Sequence, residues 1–191
     1  MSQQRPLDAL GVAAILLLCV SWGFQQPAIK LGLEQIPPGT QAAIRSAGAA
    51  LLVGLWMALR GERFDLRDGT LWPGVIAGLL FGIEFLLMYT AINLIDASRA
   101  VVFIYIAPFV VAVGSQLILR TDRLELRGWL GIVIAFAGMT IALQPWAAVR
   151  TNLLGDICAL AAGFFWGATT LLIKGTVLRS APATKALIYQ L

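Results

Sequence analysis

The chain has 191 residues, 59% of them hydrophobic and 13% charged, with a mean hydropathy of +0.84. This composition excludes an ordinary soluble domain and predicts a polytopic membrane protein. Histidine is absent and the formal net charge is +4, so imidazole acid–base catalysis, His metal ligation and Ser-His triads are excluded at once.

A hydrocarbon core about 30 Å thick takes about 20 mainly apolar helical residues to cross, and windows of that kind follow one another along the chain. The first covers 10–31. It is too long and too polar inside for a secretory leader and has no small-residue cleavage site after it, so it is expected to stay in the mature protein. It carries Cys19, Trp22-Gly23, Gln25, Gln26 and Pro27. The second, 39–59, holds Arg45 about 9 Å below its starting boundary at the helical rise per residue. The third, 71–93, has Gly74, Gly78 and Gly82 at every fourth position, a spacing that lets another helix approach. Glu84 lies on the opposite face, about 13 Å from the end of the span. Arg45 and Glu84 therefore sit at similar depth.

The fourth window, 97–119, opens on Ser98, read as a helix cap, and contains Tyr105 and Pro108. Pro27 and Pro108 both interrupt the helical ladder and can kink their spans. The fifth covers 126–143. The sixth, 153–174, has Asp156 in its first turn, where a carboxylate favours the helix dipole and is expected to be structural. A seventh opens near residue 182 and runs to 191. Spans of this continuous hydrophobicity satisfy their backbone as helices, so the fold class is all-α, a polytopic helix bundle.

Basic residues mark sidedness. With a cytoplasmic N-terminus, ten of the 14 basic residues fall on the inner side, grouped at Arg5, Arg60 to Arg67, Arg120 to Arg127 and Lys174 to Lys185, against Lys30, Arg99 and Arg150 outside. This fits the positive-inside rule and accounts for the basic pI without nucleic acid as a partner. Cys19 and Cys158 lie within spans, where a thiol behaves as a small hydrophobe and fixes no redox compartment.

At an offset of 144 residues, "SWGFQQPAIK" overlies "FWGATTLLIK". The ungapped match pairs Trp22 with Trp166, Gly23 with Gly167, Ile29 with Ile173, Lys30 with Lys174 and Pro38 with Pro182, within ten identities over 38 positions. The unit 1–145 then contains five spans, and 146–191 begins a second unit. Because five is odd, the second unit enters the membrane from the opposite face, as in inverted-repeat transporters. Two equal units predict about ten spans. The six spans and partial seventh are expected to be a fragment, or a half completed by another chain or a second copy.

These residues are similar to the drug/metabolite transporter superfamily in its EamA-like branch. The resemblance is strongest in "YTAINLIDASRAVVFIYIAPFVVAV", residues 89–113, with the Ala-Ser cluster and Pro108. It extends to "LRGWLGIVIAFAGMTIAL" and to Trp22-Gly23, Pro38 and Arg45. "TDRLEL" departs from the usual Gly-Glu-Arg, although Asp122 keeps a charge. The resemblance implies an inner-membrane carrier, often an exporter of amino acids, related metabolites or drugs, with no cofactor and no universal catalytic motif.

Intramembrane polar groups are functional hypotheses by default. Arg45 and Glu84 are expected to face the interior and to interact directly or through water. Glu84 would be a proton switch or a substrate-amine site, and Arg45 a carboxylate anchor; the alternative is a structural ion pair or a snorkelling Arg45. Gln25, Gln26, Trp22 and Tyr105 are further substrate candidates, with core packing as the alternative for the aromatics. The residues that recur between units read as architecture, and the unshared Gln25, Gln26 and Pro27 as the place to look for substrate. Neither an ATP-binding loop nor a metal-ligand cluster is present in the sequence, so the reading is a secondary carrier and not an enzyme. The rival readings are an inactive fragment or half-transporter, and a membrane enzyme acting on lipid-linked substrates.

Overall fold

The computed structural model describes residues 9–62, 64–65, 68–120 and 124–191, apart from the side chains of Leu10 and Gln26. Thr121, Asp122, Arg123 and part of the basic set used for sidedness lie outside the described residues. Eight α-helices follow in order: α1 (Ala9–Leu33), α2 (Pro38–Arg60), α3 (Leu71–Leu94), α4 (Ala97–Ile104), α5 (Ala107–Gly114), α6 (Leu126–Leu143), α7 (Leu153–Gly175) and α8 (Ala183–Gln190). A π-helical turn, Ser115–Leu119, extends α5, and short 3-10 turns follow α6 and α7. No strand occurs among the described residues. Among the described residues, six helical segments are long and apolar enough to cross a membrane, so the molecule is an all-α polytopic bundle.

The core lies where α3, α4 and α5 pack on α7. Met88, Tyr89 and Ile92 of α3 and Ile95 just after it meet Cys158, Ala159 and Ala162 of α7, with Ala100 and Ile104 of α4 closing the cluster. Lipid is as apolar as leucine, so helices gain little from hiding large side chains against each other and associate through small residues that let backbones come close. The sequence of α7 follows that rule. Leu51 and Leu52 of α2 and Ile134 of α6 instead point outward, 68–75% exposed.

The fourth span is not one helix. It breaks at Tyr105–Ile106, between α4 and α5. Pro108 has no N–H to give the carbonyl of Ile104 and its ring clashes with that oxygen, so the backbone tightens, with Ile106 N–H donating to Phe103 O at 3.2 Å. The displaced Ile104 carbonyl rests on α7 at Gly163, where a Cβ would lie 2.5 Å from the oxygen. Only glycine fits there. Pro27, by contrast, is passed by α1 without a break.

Ser98 does not cap α4. The N-cap is Asp96, with no side-chain cap bond; its carboxylate instead accepts from Val149 N–H (2.8 Å) and Arg150 N–H (3.1 Å). Those amides, Arg150 foremost, hold the Asp96 carboxyl below the usual range, with a further contribution from Lys30. Lys30 Nζ lies 3.6 Å from Asp96 and donates to Ile95 O at 2.8 Å, closing the C-terminus of α3. Asn152 caps α7 by accepting from Leu154 and Gly155 N–H.

Asp156 is in the first turn of α7 as expected, and it also receives a two-pronged contact from Arg99 of α4, Nε at 2.7 Å and Nη2 at 2.8 Å. Arg99 further donates to Pro145 O at 3.3 Å, so one guanidinium joins α4, α7 and the end of α6. Removing one partner strands a partly buried charge. Arg99→Ala or Asp156→Ala should therefore lower stability by about 2 kcal/mol, read as thermal unfolding in detergent, with the exchanged pair Arg99→Asp/Asp156→Arg recovering part of the loss.

The opposite end of the bundle is held by α8. Lys185, 3% exposed, donates to Asp65 O and to Asp68 at 2.5 Å, while Thr184 bonds Glu62 at 2.5 Å. Tyr189 bonds Thr70 at 3.2 Å and lies over Gly74 and Gly78, so these two glycines of the stripe seat α8, whereas Gly82 faces open space. The Lys185 hydrogen bond and then that of Thr70 lower the Asp68 carboxyl from 3.8 to about 2. A carboxyl depressed in the folded state stabilises above its unfolded pKa and loses that contribution as pH falls through the folded one. The contacts of Asp65, Asp68 and Thr70 with α8 should thus hold above pH 4 and loosen between about 4 and 2. Hydrogen exchange at those residues across this window should show the loosening, and Asp68→Asn should show it already at pH 7.

Candidate functional site

The break before Pro108 ends α4 at a point where Tyr105, 40% exposed, turns its ring to that of Trp166 on α7. The two rings meet edge to face, with centroids 5.8 Å apart. On its other side Trp166 meets Trp22 of α1, at 6.3 Å with a tilt of 59°. The two Trp-Gly pairs that match at an offset of 144 are therefore in contact through their indoles. Gly167, next to Trp166, sets the depth of this contact: a Cβ there would lie 2.6 Å from Val110, so α5 and α7 come close enough to carry both aromatics to one place.

Below this cluster a cavity of about 480 Å³ opens between α5, α6 and α7. Trp166, Thr170 and Lys174 line it from one face of α7, at positions i, i+4 and i+8. Pro108, Val111, Ala112 and Ser115 line it from the α5 segment, and Ile132 from α6. Lys174 Nζ donates to Ser115 Oγ at 3.4 Å, and Ser115, 3% exposed, is the first residue of the π-helical turn. The cavity thus has an aromatic end, a cationic end and apolar walls. A larger cavity of about 660 Å³ lies on the other side of the α5–α7 seam, against Leu80 of α3. Apart from Thr176, whose hydroxyl is spent on Leu172 O, its lining is apolar, so it offers no group to orient a polar solute.

Arg45 and Glu84 occupy a separate locus between α2 and α3. The Arg45 guanidinium lies over the Phe85 ring at 3.7 Å and near Phe81 at 5.8 Å; its Nη2 donates to Ser46 Oγ at 3.3 Å. Glu84 is 5% exposed. No direct ion pair joins Arg45 to Glu84 among the described residues. Glu84 Oε2, Arg45 Nε and Gln41 Oε1 are all buried without a hydrogen-bond partner, and Gln41 and Arg45 share one face of α2. Gln41 packs toward α1, where its Nε2 donates to Ile29 O at 3.2 Å, while Arg45 turns to Phe85 of α3. The Phe85 ring face stabilises the guanidinium through a cation–π contact.

Of the sequence candidates, the structure places Trp22 and Tyr105 each against Trp166, puts Arg45 and Glu84 on the neighbouring helices α2 and α3, and leaves Gln25 half-buried on α1. The side chain of Gln26 lies outside the described residues. Trp166, Thr170, Lys174, Ser115 and Gln41 were not singled out as site residues. The signal for Trp166 and Lys174 was the internal match itself, which reads equally as architecture.

The family model for the EamA-like transporter family matches residues 9–144. The chain belongs to that family. Among curated EamA-like relatives, the uncharacterized transporter YoaV of Bacillus subtilis (strain 168) is 23% identical over 168 residues, covering 86% of this chain and 56% of the relative. The uncharacterized inner membrane transporter YedA of Escherichia coli (strain K12) is 26% identical over 184 residues, covering 86% and 59%. A riboflavin transporter of Vibrio cholerae serotype O1 is 25% identical over 162 residues, covering 84% and 52%. The chain spans about half the length of the curated relatives it matches. No solved structure matches it. Relatives named as transporters point to a membrane transporter and away from enzymatic chemistry.

Proposed function

We propose that this EamA-like protein is a secondary carrier that exports small organic metabolites, amino acids or drugs across the inner membrane by alternating access, with its N-terminus in the cytoplasm. The observation that carries the reading is the contact of Trp22 with Trp166 beside Tyr105, at the mouth of a cavity that ends on Lys174. In an inverted repeat, equivalent residues near the pseudo-two-fold axis meet each other, and the substrate site lies at that axis. The indole pair supports both the repeat of 1–145 with 146–191 and the position of the site. The cavity volume falls in the range of small-molecule sites. Glu84 supplies a proton-coupling group in this scheme and Arg45 an anchor for an acidic substrate.

The test is efflux from preloaded membrane vesicles over a panel of amino acids, flavins and cationic drugs. Directional, saturable release that depends on the protein supports the carrier. Covalent product formation without release would return the membrane-enzyme reading, and release only after addition of a second, complementary chain would support a half-transporter.

A further inference from the structure

We infer that the larger cavity, between α3, α5 and α7, is a seat for an anionic phospholipid, with an acyl chain lying in the cavity and the charged headgroup held by Arg120 and Arg179.

The cavity of about 660 Å³ is lined from Ile106 to Leu119 along the fourth span and from Phe164 to Thr176 along α7 and its C-cap, with Leu80 of α3 as the third wall. On each helix this is the half that ends at one boundary of the bundle, so the cavity occupies a single leaflet. Its one polar group, the Thr176 hydroxyl, is spent on Leu172 O. A polar solute would lose its water there and find nothing to bond, whereas an acyl chain exchanges one apolar surrounding for another. Ile118 and Phe164 line the cavity and are themselves exposed, so within a bilayer it is reached from the lipid side. Selectivity then rests on the headgroup.

The charge stands where the cavity ends. Leu119 packs on Gly175, where a Cβ would lie 2.5 Å from Leu119 Cδ2, so the fourth span and α7 meet at this boundary. Arg120 is the residue after Leu119, and Arg179 lies in the 3-10 turn Val177–Ser180 that follows α7. Both arginines are exposed, and neither guanidinium has an acidic or hydrogen-bonding partner among the described residues. The other end of the bundle differs: there Arg99 binds Asp156, Lys30 lies beside Asp96 and Arg150 donates to Asn93 O. Lys174 is engaged with Ser115 on the far side of the α5–α7 seam and takes no part. With the N-terminus in the cytoplasm, as proposed above, Arg120 and Arg179 face the inner leaflet, whose anionic lipids attract basic residues at the boundary. A phosphodiester offers a guanidinium two oxygens for parallel charge-assisted hydrogen bonds.

The test is native mass spectrometry of the purified protein in detergent, titrated with phosphatidylglycerol or with phosphatidylcholine of the same acyl chains. Occupancy by the first bound lipid gives the affinity. Phosphatidylglycerol should bind about tenfold more tightly, and it should raise the melting temperature where phosphatidylcholine does not. Arg120→Gln/Arg179→Gln should erase both differences, and Arg120→Lys/Arg179→Lys should keep most of them. Arg60→Gln removes a cation that stacks on Trp56 and should leave them unchanged. Ala168→Leu, which puts bulk into the cavity, should weaken both lipids alike, and inorganic phosphate, having no chain, should displace neither. Equal affinity for the two lipids, a preference that survives Arg120→Gln/Arg179→Gln or is lost equally in Arg60→Gln, or displacement by inorganic phosphate would overturn the inference. Arginines that only mark the inner side would let the preference survive or fall with any one of them. A helix of another chain seated in the cavity would leave no lipid of either kind retained, which overturns it as well. Binding is read without transport, so this inference and the carrier reading can fail separately.

Discussion

Trp22→Ala should lower transport efficiency by about tenfold to hundredfold while leaving the fold nearly as stable as before. The indole is 62% exposed, so little buried packing is lost with it, yet it closes one side of the Trp166 frame. Aromatic anchors in such positions carry a large share of binding energy. Trp166→Ala should have at least as large an effect on transport, but Trp166 also packs on the core of α3 and α7, so a loss of stability accompanies it. Trp166→Phe separates the two roles, since it keeps an aromatic surface and most of the volume. Initial rates of efflux in vesicles, set beside thermal unfolding of the same variants, make the comparison. Unchanged transport in Trp22→Ala would remove the indole pair from the substrate path.

The second large effect is expected at Glu84. Its Oε2 is buried and unpartnered, and an unsatisfied buried polar group costs about 1–3 kcal/mol. A structural ion pair would make Glu84→Gln destabilising. With the carboxylate held apart from Arg45, the substitution should leave unfolding unchanged or raise stability by about 1 kcal/mol, and should still reduce proton-dependent transport severely. Arg45→Gln should behave differently. It removes the cation stacked on Phe85 and so costs packing as well as transport. If both variants transport normally, neither residue belongs to the mechanism.

The span pattern was legible because a membrane imposes it. The fifth window, 126–143, coincides with α6, the first, second, third and sixth end within two residues of their helices, and the fourth covers α4, α5 and the π-helical turn together. What hydropathy does not register is a break inside a uniformly apolar stretch. Pro108 gave warning of it, but Pro27 gave the same warning in α1, which continues unbroken. The difference lies in the partner, since Gly163 and Gly167 of α7 receive the displaced Ile104 carbonyl of α4 and the close backbone of α5, and no glycine of another described helix packs in this way on α1 at Pro27. The site was legible only in part for a related reason. Trp166 and Lys174 recur from Trp22 and Lys30, so recurrence was read as scaffold. In a two-fold arrangement scaffold and site coincide where equivalent residues meet. Ser115 and Gln41 carry no signal in one dimension, because what distinguishes them is a neighbour more than a helical turn away in another element.

Breaking the fourth span at Tyr105–Ile106 gives a single crossing two rods and a joint in place of one rod. The α4 half is fastened to α7 through Arg99 and Asp156, and the α5 half forms a wall of the cavity and meets α7 at the Lys174–Ser115 bond. In the carrier proposed above, the lower half would swing about the break while the upper clamp stays shut. One end of the passage would open without the other, and the seal at each end would rest on different residues.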